Sequence, residues 1–146
     1  MAERVPSDHD SVTNYRAKLA RSGGTRRPCL RLPEDVDLAE DDVIRLLLDG
    51  TTTTHARVAT DASGLLLRGA YDNERLARTP RDGENRLVEW CDDHDLGPDD
   101  AVELDALDPG FCYGLRSPGA RLVYDVPARP DQSLRDIASS LRDGAE

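Results

Sequence analysis

A ten-residue unit occurs twice in this chain, and the pair constrains the fold more than any other feature. Asp37-Leu38-Ala39-Glu40-Asp41-Asp42-Val43-Ile44-Arg45-Leu46 matches Asp95-Leu96-Gly97-Pro98-Asp99-Asp100-Ala101-Val102-Glu103-Leu104 at an offset of 58 (95 − 37). Asp37/Asp95, Leu38/Leu96, Asp41/Asp99, Asp42/Asp100 and Leu46/Leu104 are identical. In each copy the first leucine anchors a turn, and the acidic pair solvates it and can accept N–H bonds within it. The alternating apolar residues that follow suit a strand with one buried face. Each copy then runs into a glycine turn (Gly50, Gly110), a strand, a second glycine turn (Gly64, Gly119) and a third strand. The order of elements repeats as well as the motif, which predicts an internal duplication.

The remaining periodicities supply the other elements. Ser7 to Arg21 reads as a helix: Ser7 or Asp8 can cap it, Val12, Tyr15 and Leu19 fall at helical spacing, and Gly23-Gly24 stop it. Strands are predicted over 28–32, 43–48, 51–60, 65–67, 101–107, 111–115 and 121–126, with helices over 72–78 and 84–94. Leu134, Ile137 and Leu141 mark a short amphipathic helix after Pro130. The expected fold is β-rich (α+β): a small pseudo-twofold β-barrel built from two repeats, with peripheral helices. Its plan is an N-terminal helix (1–24), a duplicated barrel (25–126, repeats 25–70 and 84–126) and a C-terminal helix or tail (127–146).

Composition narrows the setting. The chain has 29 acids against 19 bases, a net charge of -10, and Lys18 is its only lysine. Phe111 and Trp90 are single, and isoleucine occurs only at Ile44 and Ile137. A dense carboxylate surface with few large hydrophobes suits molar salt, where it stays hydrated and self-repelling. An acidic protein of a GC-rich genome would also favour arginine over lysine. No apolar run approaches the roughly 20 residues of a membrane span, and the N-terminus has no apolar signal segment. The three cysteines are widely spaced and imply no disulfide framework. The expected location is the cytoplasm.

Thr25-Arg26-Arg27-Pro28-Cys29-Leu30-Arg31-Leu32-Pro33, with Leu38 and Asp41 to Leu46, resembles the N-terminal domain of the AbrB/SpoVT-like swapped-hairpin transcription regulators. That pattern is a basic strand ending in Leu-Pro, a short helix, a Leu-x-x-Gly-Asp turn and a strand. The resemblance implies one barrel built from two copies, both in this chain, with basic residues around the first strand contacting DNA. Asp41 and Asp99 stand where the family has its turn glycine, and the second copy lacks the Leu-Pro and the arginines. The chain as a whole also resembles an uncharacterised haloarchaeal protein family, which implies no activity.

The charge is unevenly spread. From Val12 to Arg31 there are six bases (Arg16, Lys18, Arg21, Arg26, Arg27, Arg31) and no acids, so the remainder carries -16 (-10 − 6). These six are the candidate nucleic-acid-binding residues, with Arg26 and Arg27 suited to fork onto phosphates or base edges. At 1 M salt the Debye length is about 3 Å, so only close, bidentate contacts would count. The competing reading is that these cations pair with the chain's own carboxylates or lay their stems over the barrel. Cys91-x-x-His94 has ligand-like spacing, but a structural zinc takes four such ligands, and Cys29, His55 and Cys112 lie elsewhere. There is no Gly-rich phosphate loop and no G-x-S-x-G. No catalytic residue, metal or cofactor is expected. The expected function is a DNA-binding or transcription-related regulator acting on duplex DNA. The alternative is a protein-interaction or assembly module, as a homodimer or with another protein. A small enzyme ranks last.

Overall fold

The computed structural model describes residues 3–21, 28–79 and 82–127. Seven strands close a barrel in the order β2-β3-β6-β5-β4-β8-β7. They are β2 (Thr13–Arg21), β3 (Pro28–Arg31), β4 (Val43–Leu48), β5 (Thr52–Asp61), β6 (Gly64–Leu67), β7 (Ala101–Asp108) and β8 (Cys112–Arg116). Neighbours are antiparallel except β4 and β8, which run parallel from Arg45↔Cys112 to Leu48↔Leu115. Two strands lie outside the barrel: β1 (Glu3–Pro6) pairs with β9 (Val123–Val126). Helices α1 (Glu74–Arg78) and α2 (Arg86–Asp93) connect β6 to β7. No helix among the described residues is long and apolar enough to cross a membrane.

The expected N-terminal helix is wrong where the chain is described. Residues 3–21 form β1, a turn and β2, so the barrel begins at Thr13 and not at residue 25. The true inward set of β2 is Tyr15, Ala17 and Leu19, with Arg16 and Lys18 exposed between them. That is a period of two, which a small residue at Ala17 hides from a hydrophobicity count. Long-range pairing decides the matter, because β7 lies alongside from Thr13↔Ala106 to Lys18↔Ala101. Ser7 does not cap a helix. Its N–H donates to Leu122 O (2.8 Å) and its hydroxyl accepts from Leu122 N–H (3.1 Å), which ties β1 to the approach of β9. The expected C-terminal helix lies outside the described residues.

The strand from Val43 to Leu48 is as expected, and its run of three buried leucines has a physical cause. Leu46 and Leu48 face the barrel core, whereas Leu47 faces outward into a second cluster with Cys112, Tyr124 and Val126. The β1–β9 pair covers the outside of the wall there, so both faces of β4 and β8 are apolar. Gly114 permits the cover: a Cβ on it would lie 2.2 Å from a ring carbon of Tyr124. Asn73 and Asn85 cap α1 and α2 by accepting from Leu76 N–H and Leu87 N–H. Helix α2 adds Leu87, Trp90 and Cys91 to the core.

The two repeated turns share one geometry. Asp41 and Asp99 both take left-handed backbone, with φ of 73° and 78°, which asparagine and aspartate tolerate better than most residues. Ala39 N–H donates to the Asp42 carboxylate at 2.9 Å, and Gly97 N–H to that of Asp100 at 2.8 Å. Asp41 N–H donates to Val58 O (2.8 Å) and Val58 N–H to Asp42 O (2.8 Å). In the other turn Asp99 N–H donates to Leu19 O (2.8 Å) and Leu19 N–H to Asp100 O (2.9 Å). Leu19 of β2 thus stands to the second turn as Val58 of β5 stands to the first. The third strands do not correspond in space: β6 is a barrel stave, whereas β9 lies outside with β1.

Candidate functional site

The basic strand carries an open cleft of about 480 Å³, whose walls include Arg16 and Lys18 of β2, Arg31, Leu32 and Pro33 at the end of β3, and Asp99 of the second turn. Pairing Lys18↔Arg31 sets the two cations side by side across the β2–β3 ladder. Arg21 is exposed at the end of β2. Arg26 and Arg27 lie outside the described residues. Of the six expected site residues, then, the fold brings three to one cleft and places Arg21 on the same strand.

The acid-free stretch does not stay acid-free in three dimensions. Arg31 forks onto Asp61 of β5, with its two Nη atoms at 2.8 and 2.7 Å from the carboxylate oxygens. That fork, helped by Ser63 N–H, holds the Asp61 carboxyl down at about 2. Lys18 Nζ lies 4.0 Å from Asp99, and Arg16 sits opposite Glu103 across the β2–β7 ladder. Arg16 and Arg21 have no carboxylate within 4 Å among the described residues. Three carboxylates therefore share the ground of Arg16, Lys18 and Arg31, and strands distant in sequence supply them.

A second, smaller cleft of about 120 Å³ has a related wall on β5 and the end of β6. It is lined by Arg57, Arg68, Tyr71 and Ala77 among others. Arg57 pairs with Asp41 at 3.3 Å, as Lys18 does with Asp99 at 4.0 Å. The difference lies in what covers it. The segment that follows β6 crosses this wall: Tyr71 pairs with His55, and α1 contributes Ala77.

Two further polar groupings escaped sequence reasoning. Asp105 is fully buried and accepts from Asn14 Nδ2 (2.6 Å), Arg116 Nε (2.7 Å) and Nη2 (3.1 Å), and the Tyr124 hydroxyl (2.5 Å). It fastens β9 to the barrel wall. Asn14 is its cross-strand partner, a signal visible only once β2 is known to pair with β7. His94 Nε2 lies 2.7 Å from Asp49 and its Nδ1 3.0 Å from the Ser117 hydroxyl, with the ring tilted against Trp90. None of the three lines either cleft described above, and Trp90 Nε1 also donates to Asp49 (3.1 Å). The group clasps the end of α2 to two turns. Cys91 is buried beneath α2, and desolvation pushes its thiol up to about 12. His94 is turned to Asp49 and Ser117. Cys112 packs against Tyr124 and Val126, with its thiol likewise at about 12.

A model described as a family of unknown function, DUF7112, matches residues 1–141. No curated protein and no solved structure matches the chain.

Proposed function

This chain belongs to the DUF7112 family, and we propose that it is a protein-interaction or assembly module whose binding face is the β2–β3 wall. One observation carries this reading: Arg31 and Lys18 are paired with Asp61 and Asp99, and Glu103 stands across the ladder from Arg16. A face of mixed sign attracts a continuous polyanion less than its cations alone would, and molar salt removes the counterion-release drive that would otherwise favour it. It suits a partner that offers a few placed carboxylates and backbone groups. The second reading, duplex DNA, draws on Arg16 and Arg21, which have no carboxylate within 4 Å among the described residues.

The barrel's origin belongs to the same reading. Two strand–strand–turn–strand repeats, β2–β4 and β5–β7, each lend a turn to the other's first strand, with β8 inserted between β4 and β7. The paired bonds of the two turns and the paired ions Lys18–Asp99 and Arg57–Asp41 support that origin, as does the resemblance to swapped-hairpin regulators. The boundaries of this reading differ from the expected 25–70 and 84–126. The setting is a high-salt cytoplasm, for which a melting temperature that rises steeply with KCl is the expected sign; full stability in dilute buffer removes it.

Fluorescence anisotropy of a labelled duplex, titrated with the full chain at 2 M KCl, decides between the readings. The interaction module predicts no saturable binding. Binding that is lost in Arg16→Ala/Lys18→Ala or in Arg26→Ala/Arg27→Ala rejects the module and supports DNA.

A further inference from the structure

The two clefts differ in their backbone as well as in their cover. In an antiparallel ladder, successive residues turn their N–H and C=O toward opposite neighbours. On β5, Val58 bonds the first turn, so His55 faces the other way. It donates to Tyr71 O at 2.7 Å and accepts from Tyr71 N–H at 2.9 Å. On β2, Leu19 bonds the second turn, so Arg16 likewise faces away from β7, toward β3. The β2–β3 ladder, however, runs only from Lys18↔Arg31 to Arg21↔Pro28. Continued by two residues, its register would set Pro33 opposite Arg16, and proline has no N–H to donate. Among the described residues no backbone group bonds the N–H or the C=O of Arg16 on that side.

We propose that this edge of β2 is a strand-addition site that takes an extended, acidic peptide segment of a partner protein, pairing with Arg16 as Tyr71 pairs with His55. The proposal rests on the interaction-module reading. A β-strand edge with open N–H and C=O groups is a template for such a segment. Three observations specify the occupant. Arg16 and Lys18 wall the cleft beside the edge; with Arg31 held by Asp61 and Lys18 near Asp99 at 4.0 Å, Arg16 is the cation left to favour a partner bearing carboxylates. The chain's own filler of the corresponding place, Gly69-Ala70-Tyr71-Asp72-Asn73-Glu74, carries Asp72 directly after its aromatic residue and Glu74 two residues further on. A second copy is disfavoured, because edge-to-edge pairing of two β2 strands would bring Arg16 and Lys18 against their like charges.

The probe is the capped synthetic peptide Gly-Ala-Tyr-Asp-Asn-Glu, with a second version N-methylated at the tyrosine. Both are titrated into the isotope-labelled full chain at 2 M KCl while amide exchange is followed by NMR. Without peptide, the Arg16 amide is expected to exchange about 100-fold faster than that of His55, which is internally bonded. Saturating peptide should slow Arg16 exchange about tenfold or more, and N-methylation should weaken binding about tenfold by removing the donor to Arg16 O. Arg16→Ala keeps both backbone groups, so its amide at position 16 should still be protected, at weaker affinity. Equal affinity for the two peptides, an Arg16 amide unprotected at saturation, or no binding at millimolar peptide overturns the strand-addition site. The module reading fails by a different result, the charge-dependent DNA binding described above.

Discussion

Asp105→Ala removes the carboxylate on which three side chains from β2, β8 and β9 converge. Asp105 is fully buried and the Arg116 side chain is only 12% exposed, so the guanidinium left behind cannot recover its hydration. Removing one partner of a buried ion pair costs about 3–5 kcal/mol. Arg116 keeps its 2.6 Å bond to Ala120 O, which places the expected loss at about 3 kcal/mol. At the roughly 3–5 °C per kcal/mol appropriate to a domain of this size, the melting temperature should fall by about 10–15 °C. Tyr124→Phe deletes one hydrogen bond to the same carboxylate and should cost about 1.5–3 kcal/mol. Urea unfolding at fixed KCl measures both, and the double variant measures their coupling. Because the hydroxyl matters only through the carboxylate, the two losses should be far from additive. A loss below about 1 kcal/mol in Asp105→Ala, or additive losses, would refute the account of Asp105 as the fastening point of β9.

Asp42→Ala and Asp100→Ala should each cost about 1 kcal/mol by urea unfolding, since each deletes the same cap on the N–H three residues back; unequal costs would break the correspondence of the turns. Cys91 and Cys112, with thiols raised to about 12 by burial, should resist iodoacetamide at pH 8 in the folded chain and react after unfolding; rapid native labelling of either contradicts its placement. Asp61 titrates at about 2 beside Arg31, below the ordinary carboxylate value of 3.8. The folded value is depressed, so its contribution to stability is complete above about pH 4 and lost as pH falls toward 2. Asp61→Asn should flatten that acid limb, and an NMR titration of the Asp61 carboxyl with a midpoint near 4 would contradict the fork.

Strands 43–48, 52–61, 64–67, 101–108 and 112–116 were legible because their alternation and bounding turn residues are local signals. Both helices were legible too, the second from its apolar spacing, while the caps at Asn73 and Asn85 came only with the structure. The strand nature of Thr13 to Arg21 was not: Ala17 blurs its alternation, and the ladder partner that stabilises it begins 80 residues on, at Ala101. The site divides the same way. By itself the sequence determined which residues are basic, that they cluster between Val12 and Arg31, and that two acidic turns share one pattern. Only the tertiary structure decided that Asp61, Asp99 and Glu103 come to stand among those cations, and that the β2–β3 ladder stops short of Arg16, whose backbone takes no partner on that side among the described residues. The reason is range. Periodicity and capping act over a few residues, whereas charge neutralisation and edge exposure depend on which strands meet and in what register, and closing the barrel settles both at once.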